Sequence, residues 1–589
     1  MCGIAGIMSS GGRPPSANAM QTMAETLAHR GPDGIGHYRA GDVAMMQRRL
    51  AIIDLVTGDQ PLYEPGGAAL VANGEIYNYI ELRAAMDGAV FATGSDCELP
   101  LHLYRRRGVA FTEELRGMYA IALHDPGAGR LLLARDPFGI KPLYYAETPE
   151  GLAFASEPRA LIDGGAVEGK MVPLARNELL QLQFTTGRQT IFAGIERLLP
   201  GETLVVSRGR IVERRRRAAL PETGLLRCAE EEALAAFDGI FADSVRIHQR
   251  SDVPYGMFLS GGTDSAAVLA MMARLNERPV RAFTAGFSNT GAPDEREQAR
   301  AVAKALGAEH NEVEFREGDF WLLLPEIAAA MDDPAADYAI LPTYKLAAAA
   351  RAAGLKVILS GEGGDELFAG YGRYRSGLRP WWLGGKIARR RGILDGLGVL
   401  RQELTGWRDG IEAAEATEAR AQRSALQVAQ AVDCADWLPN DLLGKLDRCL
   451  MAHGVEGRTP FLDPVVAEFA FRLPDELKIN KRLGKWLLRR WVAEHVPVTQ
   501  PFARKQGFTV PVGEWIARRG TQLGPLVAAA PGIAEICAPD AVARLFKEAR
   551  RRRVGFAAWT LLFYALWHRH HVLRRPPAAD VFAALGERG

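Results

Sequence analysis

The sequence has no strong excess of charge, no long apolar run and no paired cysteines, and each absence excludes a class of protein. Its 589 residues carry 72 Lys and Arg against 70 Asp and Glu, a formal net charge of +2. Neither nucleic acid nor an acidic polymer is therefore expected as a partner. The most apolar stretch, 559–567, is too short for a membrane span and is followed by His and Arg, so we interpret it as a buried helix. The first residues lack the pattern of a secretory signal, and no membrane partner is expected.

The six cysteines show neither disulfide nor metal-ligand spacing. They lie at positions 2, 97, 228, 434, 449 and 537. This scatter is typical of a reduced protein, and a cytoplasmic location is expected. A chain of 589 residues is too long for one hydrophobic core and predicts about two to four domains.

One of the cysteines has a special position. Cys2 becomes the first residue once the initiator methionine is removed, and it then carries a thiol beside a free α-amino group. The amine has an ordinary pKa of about 7.7–8.0, so it can accept the thiol proton near neutral pH. Position alone decides little, because any residue can follow a methionine.

Polar motifs continue through the first part of the chain. They lie at 29–33, 49–54, 73–78, 94–98, 135–145 and 154–157. Together with Cys2-Gly3-Ile4, these motifs resemble the class II (N-terminal nucleophile) glutamine amidotransferases, and their arrangement is similar to that of the B-type asparagine synthetases.

The resemblance implies a glutaminase site with Cys2 as the nucleophile. Asn73 and Gly74 are expected to form the oxyanion hole. Arg49 suits the α-carboxylate of glutamine, and Asp96 with Glu75 suits the α-ammonium. The alternatives are a surface ion pair for Arg49 and a hairpin turn for Asn73-Gly74. The residues expected to bind glutamine are Arg49, Ile53, Asn73, Gly74, Glu75 and Asp96.

Apolar alternation predicts the fold of the first half. It recurs at 68–72, 118–123 and 131–134, which favours strands in stacked sheets. With the resemblance, this predicts an α+β N-terminal nucleophile sandwich (αββα) over residues 2–210. The arginine-rich stretch 211–229 is the predicted linker, and 230–575 is the predicted second domain.

The second half contains a strand, a glycine turn and a helix between 253 and 275. Backbone N–H groups and the positive helix end converge there on a place where an anion can bind. Ser260, Thr263 and Ser265 add hydroxyl donors, and Asp264 is a candidate Mg²⁺ ligand. The alternative is a tight structural turn with a capping serine. The spacing is neither that of a Walker loop nor that of a dinucleotide fingerprint; it resembles the pyrophosphate loop of enzymes that adenylylate a carboxylate or carbonyl oxygen with ATP.

Strands and helices are predicted to alternate beyond this loop. Strands are predicted at 280–287, 310–315 and 355–359, with helices at 294–306 and 344–353. This pattern predicts an α/β domain with a doubly wound parallel sheet and added helices. Ligands of such sheets bind beyond the carboxyl ends of the strands, where 260–265, 285–287 and 360–366 are expected. The segment 375–435 is predicted to be helical and has no motif that we can interpret.

These segments also resemble the synthetase domain of the asparagine synthetases, an ATP-pyrophosphatase-like domain. The resemblance implies that Asp264 and Asp365 bind Mg²⁺. It implies that Glu362 supports acyl-adenylate formation and the attack of ammonia, and that Lys485 stabilises the departing pyrophosphate. The alternative for Lys485 is an exposed helix lysine. The residues expected to bind ATP and pyrophosphate are Leu259, Ser260, Gly261, Gly262, Thr263, Asp264, Ser265, Ala285, Phe287, Ser360 and Gly361.

Further stretches continue the likeness without a role for each residue. Cys449 and Gly457 depart from the usual pattern of the family, and they are expected near the pocket of the acceptor carboxylate or the path of ammonia. The stretches are 332–337, 342–344, 441–448, 456–463, 484–489 and 504–508.

The two halves together predict a carbon–nitrogen ligase, a glutamine-hydrolysing asparagine synthase. It would convert aspartate, glutamine, ATP and water to asparagine, glutamate, AMP and pyrophosphate through an acyl-AMP, with a shielded path for ammonia. One alternative is the same amidation of another carboxylate, in a cell-wall peptide, a polysaccharide or a natural-product intermediate. A cyclase of the β-lactam kind is disfavoured because such relatives carry tyrosine in place of Glu362. A regulatory binder with idle sites is disfavoured because the expected catalytic side chains are present. The sequence does not decide among acceptors, and homodimerisation is expected from the resemblance alone.

Overall fold

Two antiparallel sheets make up the first part of the chain. The computed structural model describes residues 2–222, 224–288, 290–377, 390–420, 422–503 and 509–587. The first sheet has the strand order β10-β8-β9-β1-β3-β2, and the second has the order β12-β11-β7-β6-β5-β4. The strands are β1 (Gly3–Ser9), β2 (Gly34–Ala40), β3 (Val43–Arg49), β4 (Leu62–Tyr63), β5 (Ala69–Ile76), β6 (Gly117–Asp125), β7 (Arg130–Arg135), β8 (Tyr144–Thr148), β9 (Gly151–Ala155), β10 (Glu196–Arg197), β11 (Glu202–Ser207) and β12 (Arg210–Arg216).

Helices cover the outer faces of both sheets. The sequence of β6 explains this layering, because both faces of the strand are apolar. Ala120 and Ala122 on one face of β6 pack in the core between the sheets. Ile121 and Leu123 on the other face pack under the helix α3. Because successive side chains of a strand point to opposite faces, a strand buried on both sides is apolar throughout. The predicted αββα sandwich is confirmed. Its helices are α1 (Ala17–Thr26), α2 (Tyr79–Ala84), α3 (Leu99–Arg107), α4 (Pro158–Asp163) and α5 (Pro173–Leu182).

A strand lies inside the range predicted as a linker. β12 pairs with β11 along the edge of the second sheet, and Ile211 packs against the sandwich core. Its arginines are exposed along this edge strand, and charged side chains at a sheet edge discourage edge-to-edge association. The boundary at residue 210 stays a prediction.

A five-stranded parallel sheet organises the second part, in the order β15-β14-β13-β16-β17. The order reverses between β13 and β16, which are neighbours in the sheet, so their carboxyl ends open a crevice at the switch point. The predicted parallel α/β domain is confirmed. The strands are β13 (Tyr255–Phe258), β14 (Arg281–Gly286), β15 (Glu309–Glu314), β16 (Val357–Leu359), β17 (Glu456–Arg458) and a small hairpin of β18 (Ile479–Asn480) and β19 (Leu483–Gly484).

Many helices surround this sheet. The segment 375–435 is only partly helical in its described residues, because 390–408 form turns without a helix. A π-helical segment, Asp433–Leu443, begins within the last residues of this segment. The helices are α6 (Glu230–His248), α7 (Thr263–Leu275), α8 (Arg296–Ala305), α9 (Glu317–Ala330), α10 (Ile340–Ala352), α11 (Gly364–Leu367), α12 (Gly372–Gly377), α13 (Asp409–Glu418), α14 (Ala425–Val432), α15 (Gly444–Met451), α16 (Pro464–Arg472), α17 (Asp475–Lys478), α18 (Trp486–His495), α19 (Val512–Ala529), α20 (Pro531–Ala534), α21 (Pro539–Lys547), α22 (Arg552–His571) and α23 (Val581–Gly586).

The apolar stretch 559–567 lies in α22. Trp559 and Trp567 are fully buried there, and their indole N–H groups donate to backbone carbonyls at 2.6 and 2.8 Å. α22 packs against α19 and α9, as predicted for a buried helix. Within the described ranges, none of the helices has the length and apolarity that crossing a membrane requires.

Candidate functional site

Cys2 and Asn73 meet where the two antiparallel sheets face each other. Cys2 precedes β1 and Asn73 lies on β5, and the Cys2 nitrogen donates to Asn73 Oδ1 at 3.0 Å. This bond fixes the orientation of the Asn73 amide. Its Nδ2 is buried and has no hydrogen-bond partner among the described residues, which leaves a donor beside the thiol for a ligand oxygen. Burial raises the pKa of the Cys2 thiol, so the thiol needs a base to ionise.

Gly74 follows Asn73 on β5 and sits against the neighbouring strand. A Cβ at this position would lie 2.1 Å from the Met118 carbonyl oxygen. Only glycine therefore fits this close approach between β5 and β6.

Arg49 anchors the loop that follows β3. Its guanidinium donates to Asp59 Oδ1 at 2.7 Å, to the Asp54 carbonyl at 2.6 Å and to the Ile53 carbonyl at 3.3 Å. Arg49 and Ile53 are themselves buried, although Asp59 is 82 % exposed. The predicted ion-pair alternative for Arg49 is thus present in this structure, and its role toward glutamine stays a prediction.

Two buried carboxylates lie close to this cluster. The Asp96 carboxylate accepts from the Ile76 N–H at 2.6 Å, and burial raises its pKa to about 6. Burial also raises the pKa of Glu75, whose Oε2 is buried without a hydrogen bond. Buried carboxylates whose negative charge is not fully balanced by protein groups favour the binding of a cationic ligand.

An arginine from the parallel sheet reaches this cluster, and sequence reasoning gave it no role. Arg458 on β17 is fully buried, and its Nη2 lies 3.4 Å from Glu75 Oε2. Its Nε donates to Glu456 Oε1 at 2.6 Å. Its carbonyl accepts from the Ser360 N–H at 2.9 Å. Arg458 thus contacts Glu75 of the first half and the loop after β16 of the second.

A second buried arginine joins the halves on the other side of Cys2. Arg30 is 0 % exposed, and its Nε donates to the Cys2 carbonyl at 3.2 Å. Its Nη atoms donate to both oxygens of Asp447 at 2.8 and 3.0 Å and to Glu157 at 2.8 Å. Arg448, next to Asp447, donates to Asp332 at 2.7 Å. We use the name seam for the buried charged residues that join the two halves. They are Arg30, Glu157, Asp332, Asp447 and Arg448, together with Glu75, Glu456 and Arg458.

A cavity of about 350 Å³ opens at the carboxyl ends of β13, β14 and β16. Gly261, Gly262 and Thr263 form the turn and the first residue of α7 beside it. Phe287 does not line it; its ring packs against Phe315 and Trp515 at centroid distances of 6.4 and 6.2 Å. The predicted residues that do line it are Leu259, Ser260, Asp264, Ser265, Ala285, Ser360, Gly361, Glu362 and Asp365.

The loop after β13 is held by its own serines. The Ser260 N–H donates to Ser265 Oγ at 3.1 Å, and the Gly262 N–H donates to Ser260 Oγ at 3.2 Å. The second loop comes close to it, because a Cβ at Gly364 would lie 2.6 Å from Asp264 Oδ1. A larger residue at position 364 would therefore displace the Asp264 carboxylate.

Lys485 joins Asp264 and Asp365. It precedes α18 and adopts a left-handed φ of 59°. Its Nζ lies 2.7 Å from Asp365 Oδ1 and also bonds to Asp264 Oδ2. The alternative of an exposed helix lysine is wrong, since the Lys485 side chain is 3 % exposed. The Lys485 ammonium lies between the two carboxylates and compensates their charge. Carboxylate oxygens are ligands that Mg²⁺ accepts, and the Mg²⁺ role of Asp264 and Asp365 stays a prediction.

A second ion pair lines the cavity, formed by Lys445 and Asp337. Lys445 Nζ on α15 lies 2.8 Å from Asp337 Oδ2, and both residues line the cavity together with Glu362. Burial raises the pKa of Glu362 and the nearby Lys445 opposes this rise. The stretches 332–337 and 441–448 contained this pair, but no sequence signal showed that its members meet.

The two departures from the family pattern lie beside the cavity wall without lining it. Cys449 is fully buried, with its Sγ 3.5 Å from the Ile340 carbonyl on α10. A Cβ at Gly457 would lie 3.1 Å from Leu446, which does line the cavity. The stretch 504–508 lies outside the described residues.

Comparisons with known proteins match both halves. The family model described as asparagine synthase matches residues 236–569, and the model described as glutamine amidotransferase domain matches residues 1–216. A protein of Mycobacterium tuberculosis named as a putative glutamine-hydrolysing asparagine synthetase is 34% identical over 636 aligned positions, covering 96% of this chain and 97% of the relative.

Two further relatives carry similar names. Asparagine synthetase [glutamine-hydrolyzing] 1 of Bacillus subtilis is 31% identical, with 98% of each chain covered. Asparagine synthetase B of Escherichia coli is 29% identical, with 84% of this chain and 79% of the relative covered. These matches extend through both antiparallel sheets and the parallel-sheet domain, and the chain therefore belongs to the asparagine synthase family.

Proposed function

We propose that this chain is a glutamine-hydrolysing asparagine synthetase that forms asparagine from aspartate through an aspartyl-AMP. Membership of the family supports glutamine-dependent amidation. The finer assignment concerns the acceptor, the intermediate and the residues that act, and it is argued here from the two sites.

The first site is suited to the hydrolysis of glutamine. The Cys2 thiol would give its proton to its own α-amine and attack the side-chain amide carbon. The Asn73 Nδ2 donor and the Gly74 N–H would hold the oxygen that becomes negative. Ammonia would leave with the proton, and water would then cleave the thioester to release glutamate. Arg49 would take the α-carboxylate, while Asp96 and Glu75 would take the α-ammonium.

The second site is suited to activating a carboxylate with ATP. The N–H groups of the 260–265 turn and the start of α7 would bind phosphate. An oxygen of the aspartate side chain would attack the α-phosphorus, and pyrophosphate would leave with Lys485 compensating its charge. Ammonia would then attack the acyl carbon and displace AMP, with Glu362 placed to take a proton. Asp264 and Asp365 would hold Mg²⁺, which neutralises phosphate charge when bound.

Ammonia must reach the acyl-AMP unprotonated, because ammonium is not a nucleophile. The residues that join the two halves are buried, for example Arg30 and Asp447. Their burial keeps bulk water out of the junction, and this supports a protected transfer.

The observation that carries the proposal is the buried Lys485 ammonium held between the Asp264 and Asp365 carboxylates. This group lies beside a cavity at the switch point of a parallel sheet, and Glu362 lines that cavity. A lysine and two carboxylates beside a phosphate-binding turn suit a nucleoside triphosphate and an acyl group together, which a glutaminase alone does not need.

The test measures pyrophosphate release from ATP and Mg²⁺ with glutamine, in the presence and absence of aspartate. The proposal expects aspartate-dependent release with asparagine as the product. Cys2→Ala should abolish the glutamine-driven reaction and retain the reaction driven by ammonium. Cys228→Ala is the matched control, because Cys228 is a free cysteine that precedes α6.

Two outcomes would contradict the proposal in different ways. Glutamine hydrolysis without aspartate-dependent pyrophosphate release would exclude aspartate as the acceptor and favour a larger carboxylate. Formation of ADP in place of AMP would exclude an acyl-adenylate intermediate.

A further inference from the structure

The part of the cavity that the ATP-binding prediction leaves unassigned contains a pair of opposite charges. The turn residues and the loop after β16 line one side. α15 and the segment before α10 add Lys445 and Asp337, two opposite charges that none of the roles above uses.

Both members of this pair are shielded from solvent and still have capacity for a ligand. The Lys445 side chain is 7% exposed and that of Asp337 is 18% exposed. Lys445 Nζ carries three N–H donors and a carboxylate has about four acceptor sites. Asp337 Oδ1 accepts from the Ala339 N–H at 3.0 Å, and Oδ2 accepts from Lys445 at 2.8 Å.

A buried cation and anion at hydrogen-bond distance complement a ligand that carries the same two charges on one carbon. An α-amino acid has that structure, since its carboxylate can face the lysine and its ammonium can face the aspartate. We propose that Lys445 and Asp337 form the acceptor subsite, which binds the α-carboxylate and the α-ammonium of a free amino dicarboxylic acid. The inference rests on the proposed function, and it names how that site recognises its acceptor.

The chemistry of the subsite selects among acceptors. Aspartate presents both backbone charges, and its side-chain carboxylate remains for activation beside Glu362. A carboxylate within a peptide or polysaccharide lacks the free ammonium and the adjacent free carboxylate. Such an acceptor would leave Lys445 and Asp337 paired only with each other, and it would gain no binding free energy from this pair.

The test pairs each variant with the analogue that lacks the matching group. β-Alanine is aspartate without its α-carboxylate, and succinate is aspartate without its α-ammonium. Lys445→Met should raise the KM for aspartate by about tenfold to a hundredfold and leave that for β-alanine nearly unchanged. Asp337→Asn should raise the KM for aspartate by a similar factor and leave the KM for succinate nearly unchanged.

The readout is acceptor-dependent pyrophosphate release, with the KM for ATP and the glutaminase rate measured on the same preparations. Both should stay as in the unmodified protein. Lys345→Met is the matched control, because Lys345 on α10 pairs with Asp319 at 2.7 Å and does not line the cavity. It should leave every acceptor constant unchanged. If Lys445→Met does not fold, Asp337→Asn decides the question, and Lys445→Arg should retain discrimination against β-alanine.

Several results would overturn the subsite. One is an equal rise in KM for aspartate and for the truncated analogue. Another is a lower kcat with an unchanged acceptor KM, which would make Lys445 a positioning residue for Glu362. If the unmodified protein hydrolyses glutamine but does not respond to aspartate, the proposed function fails and the subsite fails with it. If it does respond and only the variants fail to discriminate, the subsite alone is wrong.

Discussion

Replacing Arg458 by methionine should destabilise the protein strongly, because it removes the central cation of the seam. Arg458 is fully buried and contacts Glu456 at 2.6 Å, the Arg250 carbonyl at 2.6 Å and the His248 carbonyl at 2.9 Å. Methionine keeps the apolar stem and loses the charge, so the change isolates the electrostatic contribution.

The magnitude follows from the carboxylates that would lose their partner. Breaking a buried ion pair by removing one member costs about 3–5 kcal/mol, since the other charge stays buried and uncompensated. Burial opposes ionisation of Glu456, but nearby positive charges that include Arg458 and Lys141 hold its pKa well below its usual range. Without Arg458, the folded-state pKa of Glu456 should rise.

The sign of the pH dependence is then fixed. A carboxylate whose folded pKa lies above its unfolded value of about 4.3 destabilises the protein as pH rises between those two values. The loss caused by Arg458→Met should therefore be larger near about pH 7.5 than near about pH 5.

Urea unfolding followed by tryptophan fluorescence measures this loss. The double variant Glu456→Gln/Arg458→Met should recover part of it, because it removes an uncompensated charge. Arg274→Met is the matched control, since Arg274 pairs with Asp238 in a partly exposed bridge that is worth about 1 kcal/mol or less. A loss no larger than that of the control, or no recovery in the double variant, would refute the reasoning.

Three further changes have expected outcomes. Asn73→Ala should lower the glutaminase kcat by about 10²–10³, the effect of one lost oxyanion donor, and leave ammonium-driven synthesis unchanged in the pyrophosphate assay. Lys485→Met should lower the rate of pyrophosphate release at least about tenfold, because it leaves the Asp264 and Asp365 carboxylates facing each other without a cation. The glutaminase rate should stay unchanged. An equal loss of both activities would contradict this expectation. Burial lowers the pKa of Lys478 to about 7, so its penalty on folding is full below that pH and falls as pH rises toward the unfolded value of about 10.4. The stability of the unmodified protein relative to Lys478→Met should therefore rise between about pH 7 and 10 in urea titrations. A constant difference would show that the folded protein does not lower the pKa of this lysine.

Sequence reasoning reached those parts of the fold and site that depend on short segments. The 260–265 turn starts a helix after a strand, and the alternating strands follow the period of two. Ligands of parallel α/β sheets bind beyond the carboxyl ends of the strands, and these ends share one edge of the sheet. On this ground Ser260, Asp264 and Glu362 were predicted to lie at one ligand site.

Contacts between distant segments were not accessible in this way. Arg458 meets Glu75, and Lys445 meets Asp337, only because β17 and α15 pack between the halves, and no local pattern encodes that packing. The family resemblance implied that Phe287 contacts the nucleotide, whereas in the structure its side chain packs in an aromatic core with Trp515. Strand β12 was missed because its arginines conceal the apolar Ile211 at an edge of the sheet.

The seam also bears on how far the two halves can be treated as exchangeable parts. Arg30 relies on Asp447 for two of its hydrogen bonds, so a chimaera with a foreign amidotransferase half would bury unmatched charges at the junction. An isolated first half would expose those same groups to water, where they need no partner. Recombination at the linker therefore has to carry the facing residues of α15 and β17 with it.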